Sequence, residues 1–365
     1  MTLHELPLDD PPMTTRTTWL RTSTLLSLGL LLACTAGDGD GDPAPGTTGA
    51  STGSSSGAPQ DTSAEASSTD APTTASSSPA DSSSGDPSTA SSTDDSSGST
   101  TGAGEVGPDL REPGPHVVQT EPGSAPVGDG CTMPYDIFSP VDVADAPTVI
   151  LAHGLQGNRG SMAGWAEHWA SWGLRVVTPN LCHATIFDAD HQQNGADLVL
   201  LAEHLDVGSV GLAGYSAGGV AAVIAAAARP DTPVLLGLDM VDSGGFGGPA
   251  APSVTAPAHD IAAEPAMCNS SSNGVPVFAA IDGSTTVRLV DADHCDFQNP
   301  ADGFCGLCSE PNDVNTPEAI QAAIYGLGTA ALLWRLGLDD TGAQWWTAGG
   351  AYYDEMFTAG LLTQL

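Results

Sequence analysis

The sequence predicts an α/β domain of three layers, in which a mostly parallel central sheet is covered by helices on both faces. Two observations predict it. Along residues 116–365, short apolar runs rich in β-branched residues alternate with amphipathic or alanine-rich stretches of helical period, the pattern of buried parallel strands joined by helical crossovers. No Phe, Trp or Tyr occurs between Trp19 and Tyr135, so the aromatic material for a core lies almost entirely in that later part.

The elements follow in order. "TVILAHG" (148–154) reads as a buried strand ending at a glycine. In "SMAGWAEHWASWG", Ser161 stands as an N-cap, and Trp165, Trp169 and Trp172 fall on one helical face as core. "LRVVTPN" (174–180) is the next strand and "GADLVLLAEHL" (195–205) a helix with Leu198, Leu201 and Leu205 aligned. "VGSVGLAGYS" is a strand running straight into "AGGVAAVIAAAARP" (217–230), an alanine-rich helix ended by Pro230. "PVLLGLD" (233–239), "APAHDIAA" (256–263) and "TTVRLVDA" (285–292) read as further strands. A long amphipathic helix starts at a Thr316 cap.

Upstream, residues 35–115 are dominated by Ser, Thr, Gly, Ala, Pro and Asp. Such a segment buries too little apolar surface to offset its chain entropy, so a disordered low-complexity linker is expected. Before it, Arg16 and Arg21 precede "TLLSLGLLLAC", too short for a membrane span and right for a signal-peptide core. The expected organisation is a signal peptide at 1–34, a linker at 35–115 and a folded domain at 116–365.

The chain has 8 basic residues, all arginine, against 44 acidic ones, a formal net charge of −36. That charge repels nucleic acid and anionic bilayers. "GDGDGD" (37–42) lacks the spacing and terminal Glu of an EF-hand and reads as a solvated charge run. Apart from Cys34, six cysteines remain: Cys131, Cys182, Cys268, Cys295, Cys305 and Cys308. An even number in an exported chain points to disulfides. Cys305 and Cys308 form a lone CxxC, with no second pair to suggest zinc. Cys295, next to His294, is expected to bridge to Cys268, leaving Cys305 with Cys308 and Cys131 with Cys182 by elimination.

The chemistry centres on "GLAGYSAGG" (211–219). The GxSxG pattern alone decides little, since "GSSSG" at 53–57 matches it. Ser216, unlike Ser55, lies where an expected strand turns into an expected helix, the setting of an activated nucleophile on a strained turn. The free amide of Ala217 at the helix start suits an oxyanion donor. "HGLQG" (153–157) follows an earlier strand and offers the amide of Leu155 as the second donor, with Gln156 beside it. Serine needs a base and the base needs an acid. His294 in "DADHCDF" lies just past a late strand. His168 and His204 lie within helices, and His153 shapes the oxyanion turn. Asp239, Asp242 and Glu264 are the candidate acids, all at strand ends. With Asp239 the order is Ser, Asp, His.

Taken together, "AHGLQG", "GYSAGG", "GLDMVDSGG" and "DADHCDF" resemble the α/β-hydrolase superfamily, and within it chlorophyllase-type, lipase or cutinase-like serine esterases. The resemblance implies the α/β-hydrolase fold and hydrolysis of carboxylic esters through an acyl-enzyme. In such lipases the acid lies in a GLDPA-like segment, which favours Asp239, with Asp242 as alternate. Met240 replaces the proline of the chlorophyllase pattern, so chlorophyll is not the expected substrate. No metal and no organic cofactor is implied. Residues 31–34 (Leu-Leu-Ala-Cys) are similar to the lipobox of bacterial lipoproteins, implying lipidation of Cys34 and an envelope-anchored protein, the alternative being an ordinary secretory signal. The expected partner is a small-molecule or lipid ester. The competing expectations are a lipase or polyester hydrolase acting on long or insoluble substrates, and a non-catalytic surface lipoprotein that keeps the fold for binding.

Overall fold

The computed structural model describes residues 106–301, 303, 305, 308 and 314–365. All of them belong to one compact unit, Asp94–Leu365. The expected signal peptide, the lipidation candidate Cys34 and the linker up to residue 105 lie outside the described residues.

The chain is packed earlier than the expected boundary at 116. Leu110 is fully buried, Arg111 pairs with Asp109 and Glu355, and Tyr352 Oη donates to Gly107 O. One apolar side chain and a shared arginine are enough to anchor what composition alone assigns to the linker.

Strands β1 (Val118–Pro126) and β2 (Thr132–Pro140) form a hairpin, followed by β3 (Thr148–Ala152), helix α1 (Ala163–Ser171) and β4 (Arg175–Pro179). A small separate hairpin, β5 (Ala184–Thr185) with β6 (Asp188–Ala189), leads into α2 (His191–His204). Next come β7 (Gly211–Tyr215), α3 (Ala217–Ala228), β8 (Leu235–Leu238), α4 (Gly247–Ala250), β9 (Ala258–Ala262), α5 (Val275–Ala279) and β10 (Thr285–Leu289). The long α6 (Pro317–Arg335), α7 (Ala343–Trp346), α8 (Ala351–Thr358) and β11 (Leu362–Gln364) complete the described chain.

Nine strands make one sheet in the order β1-β2-β4-β3-β7-β8-β9-β10-β11. The six from β4 to β10 are parallel, while β1–β2, β2–β4 and β10–β11 pair antiparallel. The sheet is therefore mixed, parallel through its centre and antiparallel at both edges. Residues 127–131 are too few for a parallel crossover and force β1 and β2 to run antiparallel. Strand alternation sorts the core into two parts. Val149 and Leu151 join Trp165, Trp169 and the apolar faces of α6, α7 and α8, while Ile150 and Ala152 join α2, α3 and α5.

Thr316 caps α6 through Ala319 N as expected. Ser161 does not cap α1: Asn158 accepts from Gly160 N, and Ser161 Oγ holds Asn158 N at 3.0 Å around the short turn Arg159–Met162. Asn158, placed where the chain is still extended, takes the capping role.

The disulfides pair Cys131 with Cys182, Cys268 with Cys308 and Cys295 with Cys305. The expected Cys268–Cys295 and Cys305–Cys308 bridges are thus replaced. Cys308 N–H donates to Cys305 O. In that tight turn the two sulfurs reach different loops, at Cα separations of 5.8 Å to Cys268 and 5.3 Å to Cys295, normal for a bridge.

Candidate active site

Because β4, β3, β7, β8, β9 and β10 are parallel, their C-terminal ends share one edge of the sheet, and the loops leaving that edge carry the candidate residues. Ser216 is the first residue past β7 and the cap position of α3, with φ 53° and ψ −127°. A side chain held in that region is strained. The strain is matched by backbone bonds from Ser216 N to Leu238 O (3.2 Å) and from Val241 N and Gly219 N to Ser216 O (3.1 and 2.9 Å). Glycine is required at two neighbouring positions by close approach. A Cβ on Gly214 would lie 2.3 Å from Gly218 O, and one on Gly218 would lie 2.3 Å from His153 O.

His294 begins the turn after β10, and its ring spans the gap between Ser216 and Asp239. Its Nε2 lies 2.9 Å from Ser216 Oγ and its Nδ1 lies 2.5 Å from Asp239 Oδ2. All three side chains are buried. With Asp239 as acceptor the ring carries its proton on Nδ1, which leaves Nε2 free to accept from Ser216. Tyr215 packs its ring 4.8 Å from the imidazole. Asp293 and Asp296 form a reciprocal capping box around the His294 turn. Burial, then the charge of Asp293, pushes the Asp296 carboxyl up to about 6.

Of the three candidate acids, space selects Asp239. Its Oδ1 accepts Ala263 N at 2.9 Å and its backbone N–H donates to Ile261 O at 2.8 Å. Asp242 accepts Gly247 N at 2.7 Å and so caps the loop it begins. Glu264 points its exposed carboxylate toward Arg288 at 3.9 Å.

On the donor side, Ala217 is the first residue of α3 and has no carbonyl one turn back. Leu155 N–H donates to no protein group among the described residues, and a Cβ on its neighbour Gly154 would stand 2.9 Å from Ser216 Cβ. Gln156 is otherwise engaged: its N–H donates to Ala184 O at 2.7 Å and its side-chain oxygen accepts Ile186 N, which docks the β5–β6 hairpin on this turn. His153 is buried, donating from Nδ1 to Gly154 O (2.7 Å) and accepting Leu181 N on Nε2 (3.0 Å). Burial pushes its pKa down to about 4, so it is a neutral brace for the turn.

Two residues at the site escaped the sequence reading. Asn269, buried in the loop after β9, donates from Nδ2 to Asp239 Oδ2 at 3.2 Å. Asp260 on β9 accepts the amide of Met240, the residue after Asp239, and burial and then the Asp239 charge push its carboxyl well up. Asn269 sits in "CNSSSNG", which reads as an ordinary polar loop, and Asp260 sits inside a strand; neither had a local signal. Among the described residues no group of three or more His, Cys, Asp and Glu is placed to hold a metal ion. Neither a protein-family model nor a curated protein matches the chain.

Proposed function

We propose that the protein is a serine hydrolase of carboxylic esters built on the three-layer α/β-hydrolase fold. The observation that carries this reading is the buried hydrogen-bonded series Ser216, His294, Asp239 at a strained strand-to-helix turn. His294 Nε2 takes the Ser216 proton as Oγ attacks the ester carbonyl, then gives it to the leaving alkoxide. Asp239 holds the ring and offsets the imidazolium charge. The amides of Leu155 and Ala217 receive the oxyanion. Water repeats the sequence on the acyl-enzyme. The test is labelling with a fluorophosphonate followed by peptide mass spectrometry. Modification at Ser216, lost together with aryl-ester turnover in Ser216→Ala, supports the reading. No labelling of the folded protein favours a binding lipoprotein that keeps the fold.

A second reading narrows the substrate to long or insoluble esters, as a lipase or polyester hydrolase takes. It is favoured by exposed apolar side chains on the loops leaving the same sheet edge: Leu155 after β3, Ile186 and Phe187 in the β5–β6 turn, Phe246 after β8 and Met267 after β9, with Phe187 95 % and Met267 72 % exposed. Phe187→Ser should lower turnover of a long-chain ester or polyester film relative to a short soluble ester. An unchanged ratio would reject it. Export and lipidation at Cys34, with the linker as tether, complete the proposal; acyl-peptide mass spectrometry of the mature N-terminus tests them.

A further inference from the structure

Asn269 uses its whole hydrogen-bonding capacity. Its Oδ1 accepts Ala266 N at 2.9 Å and Ser272 N at 3.0 Å, while Nδ2 donates to Glu264 O at 2.8 Å and to Asp239 Oδ2 at 3.2 Å. The loop around it is costly to form. Ser270, Ser271 and Ser272 are three consecutive non-glycine residues with φ of 51°, 59° and 54°, in the left-handed region that such residues rarely occupy in sequence. The neighbouring Cys268 is tied to Cys308. A strained, cross-linked loop curled around one buried amide, with one donor aimed at the carboxylate that faces His294, is the sort of local cost that persists where geometry matters for function.

We propose that Asn269 is a positioning residue for Asp239. This rests on the esterase reading above. Asp239 Oδ1 is fixed by Ala263 N, and Asn269 occupies a second direction at Oδ2, so the carboxylate cannot rotate away from His294 Nδ1. Without that donor the carboxylate turns more freely, and the ring it orients spends less time aligned with Ser216.

Asn269→Ala and Asn269→Asp separate this role from support of the loop. Alanine removes every bond. Aspartate keeps both acceptors for Ala266 N and Ser272 N, but can donate toward Asp239 only while it holds a proton. Across pH 5–9 the groups facing that pair are His294 from the turn after β10, Asp260 from β9, and Arg288 on β10 with its partner Glu264. The assay is p-nitrophenyl butyrate hydrolysis by the full chain, with kcat and KM measured across that range. Asn269→Ala is expected to lower kcat at least about 30-fold with KM within about twofold, the pattern of lost transition-state alignment. Asn269→Asp is expected to lose ground to the wild type as pH rises, its relative kcat falling at least about tenfold, because two ionised carboxylates cannot share a donor. A ratio to wild type that is constant with pH, or an alanine variant within threefold of wild type, overturns the positioning role alone. An inactive, unlabelled wild type overturns the esterase reading and this role with it.

Discussion

Replacing Asp239 by asparagine probes the proposed mechanism most directly. Asn fits the same volume, and its oxygen can still accept Ala263 N, 2.9 Å from the present Oδ1. Its amide then occupies the Oδ2 place, 2.5 Å from His294 Nδ1. An N–H facing an N–H is repulsive, so the imidazole is driven to the tautomer with its proton on Nε2, and that proton points at Ser216 Oγ, 2.9 Å away. The ring now donates to the nucleophile it must deprotonate. A wrong tautomer of this kind costs about 10⁴-fold in kcat, or about 5.5 kcal/mol of activation free energy, while the fold loses the bond that Asn269 Nδ2 donates to the Oδ2 place, 3.2 Å away, at a cost of about 1–3 kcal/mol. The measurement is kcat for p-nitrophenyl butyrate alongside thermal unfolding. A well-folded Asp239→Asn protein retaining more than a tenth of wild-type kcat would refute the reasoning and reopen the choice of acid.

Two further outcomes follow from the same packing. Burial pushes His153 and His168 down to about 4 and His259 to about 3, and it also lowers His191. These rings are neutral when folded and protonate near 6.5 when unfolded, so the stability they contribute is complete above pH 6.5 and is lost as pH falls toward 4. Asp296 and Asp260, whose folded values are raised, act in the opposite sense. Four histidines less two carboxyls leave a net uptake of about two protons on unfolding near pH 5, or at most about 2.7 kcal/mol per pH unit, less where solvent screens the partly exposed His191 and Asp296. Urea midpoints should fall steadily from pH 6.5 to 4.5, and a rise would contradict the assignment. Removing the Cys268–Cys308 bridge, which closes 40 residues, by a double serine substitution should lower stability by about 4 kcal/mol on the chain-entropy account; an unchanged denaturant midpoint would count against that bridge.

What could be read from the sequence was what is encoded locally. Ser216, His294 and the start of α3 sit in short patterns whose neighbours in the chain are also their neighbours in space. The residues themselves left Asp239, Asp242 and Glu264 alike as carboxylates at strand ends, and only the resemblance of "GLDM" to a lipase segment favoured Asp239. In the structure they are separated by the placement of His294 beside Asp239, of Gly247 beside Asp242 and of Arg288 near Glu264. The β1–β2 hairpin was equally hidden: β1 reads "VQTEPGSAP", exposed along most of its length and holding two prolines, and it is a strand because β2 pairs with it. Cys131 pairs with Cys182 as expected, while the other two cysteine pairings failed for a related reason, since proximity in sequence between Cys305 and Cys308 says nothing about which loops lie beside their side chains.

Sheet register accounts for the geometry that local patterns do not. Tyr215 on β7 aligns with Leu238 on β8, and Leu238 aligns with Ile261 on β9. Ser216 and Asp239 are each the next residue after an aligned pair member, so they leave the sheet at the same level. Both have positive φ, and each donates its backbone N–H to the carbonyl of the strand beside it, Ser216 to Leu238 O and Asp239 to Ile261 O. Two strained residues are thereby held by the same ladder that builds the core. The serine and the acid cannot shift independently of the register, and the one residue of the three left outside this ladder is His294, which is fastened instead by the Asp293–Asp296 box and the Cys295–Cys305 bridge.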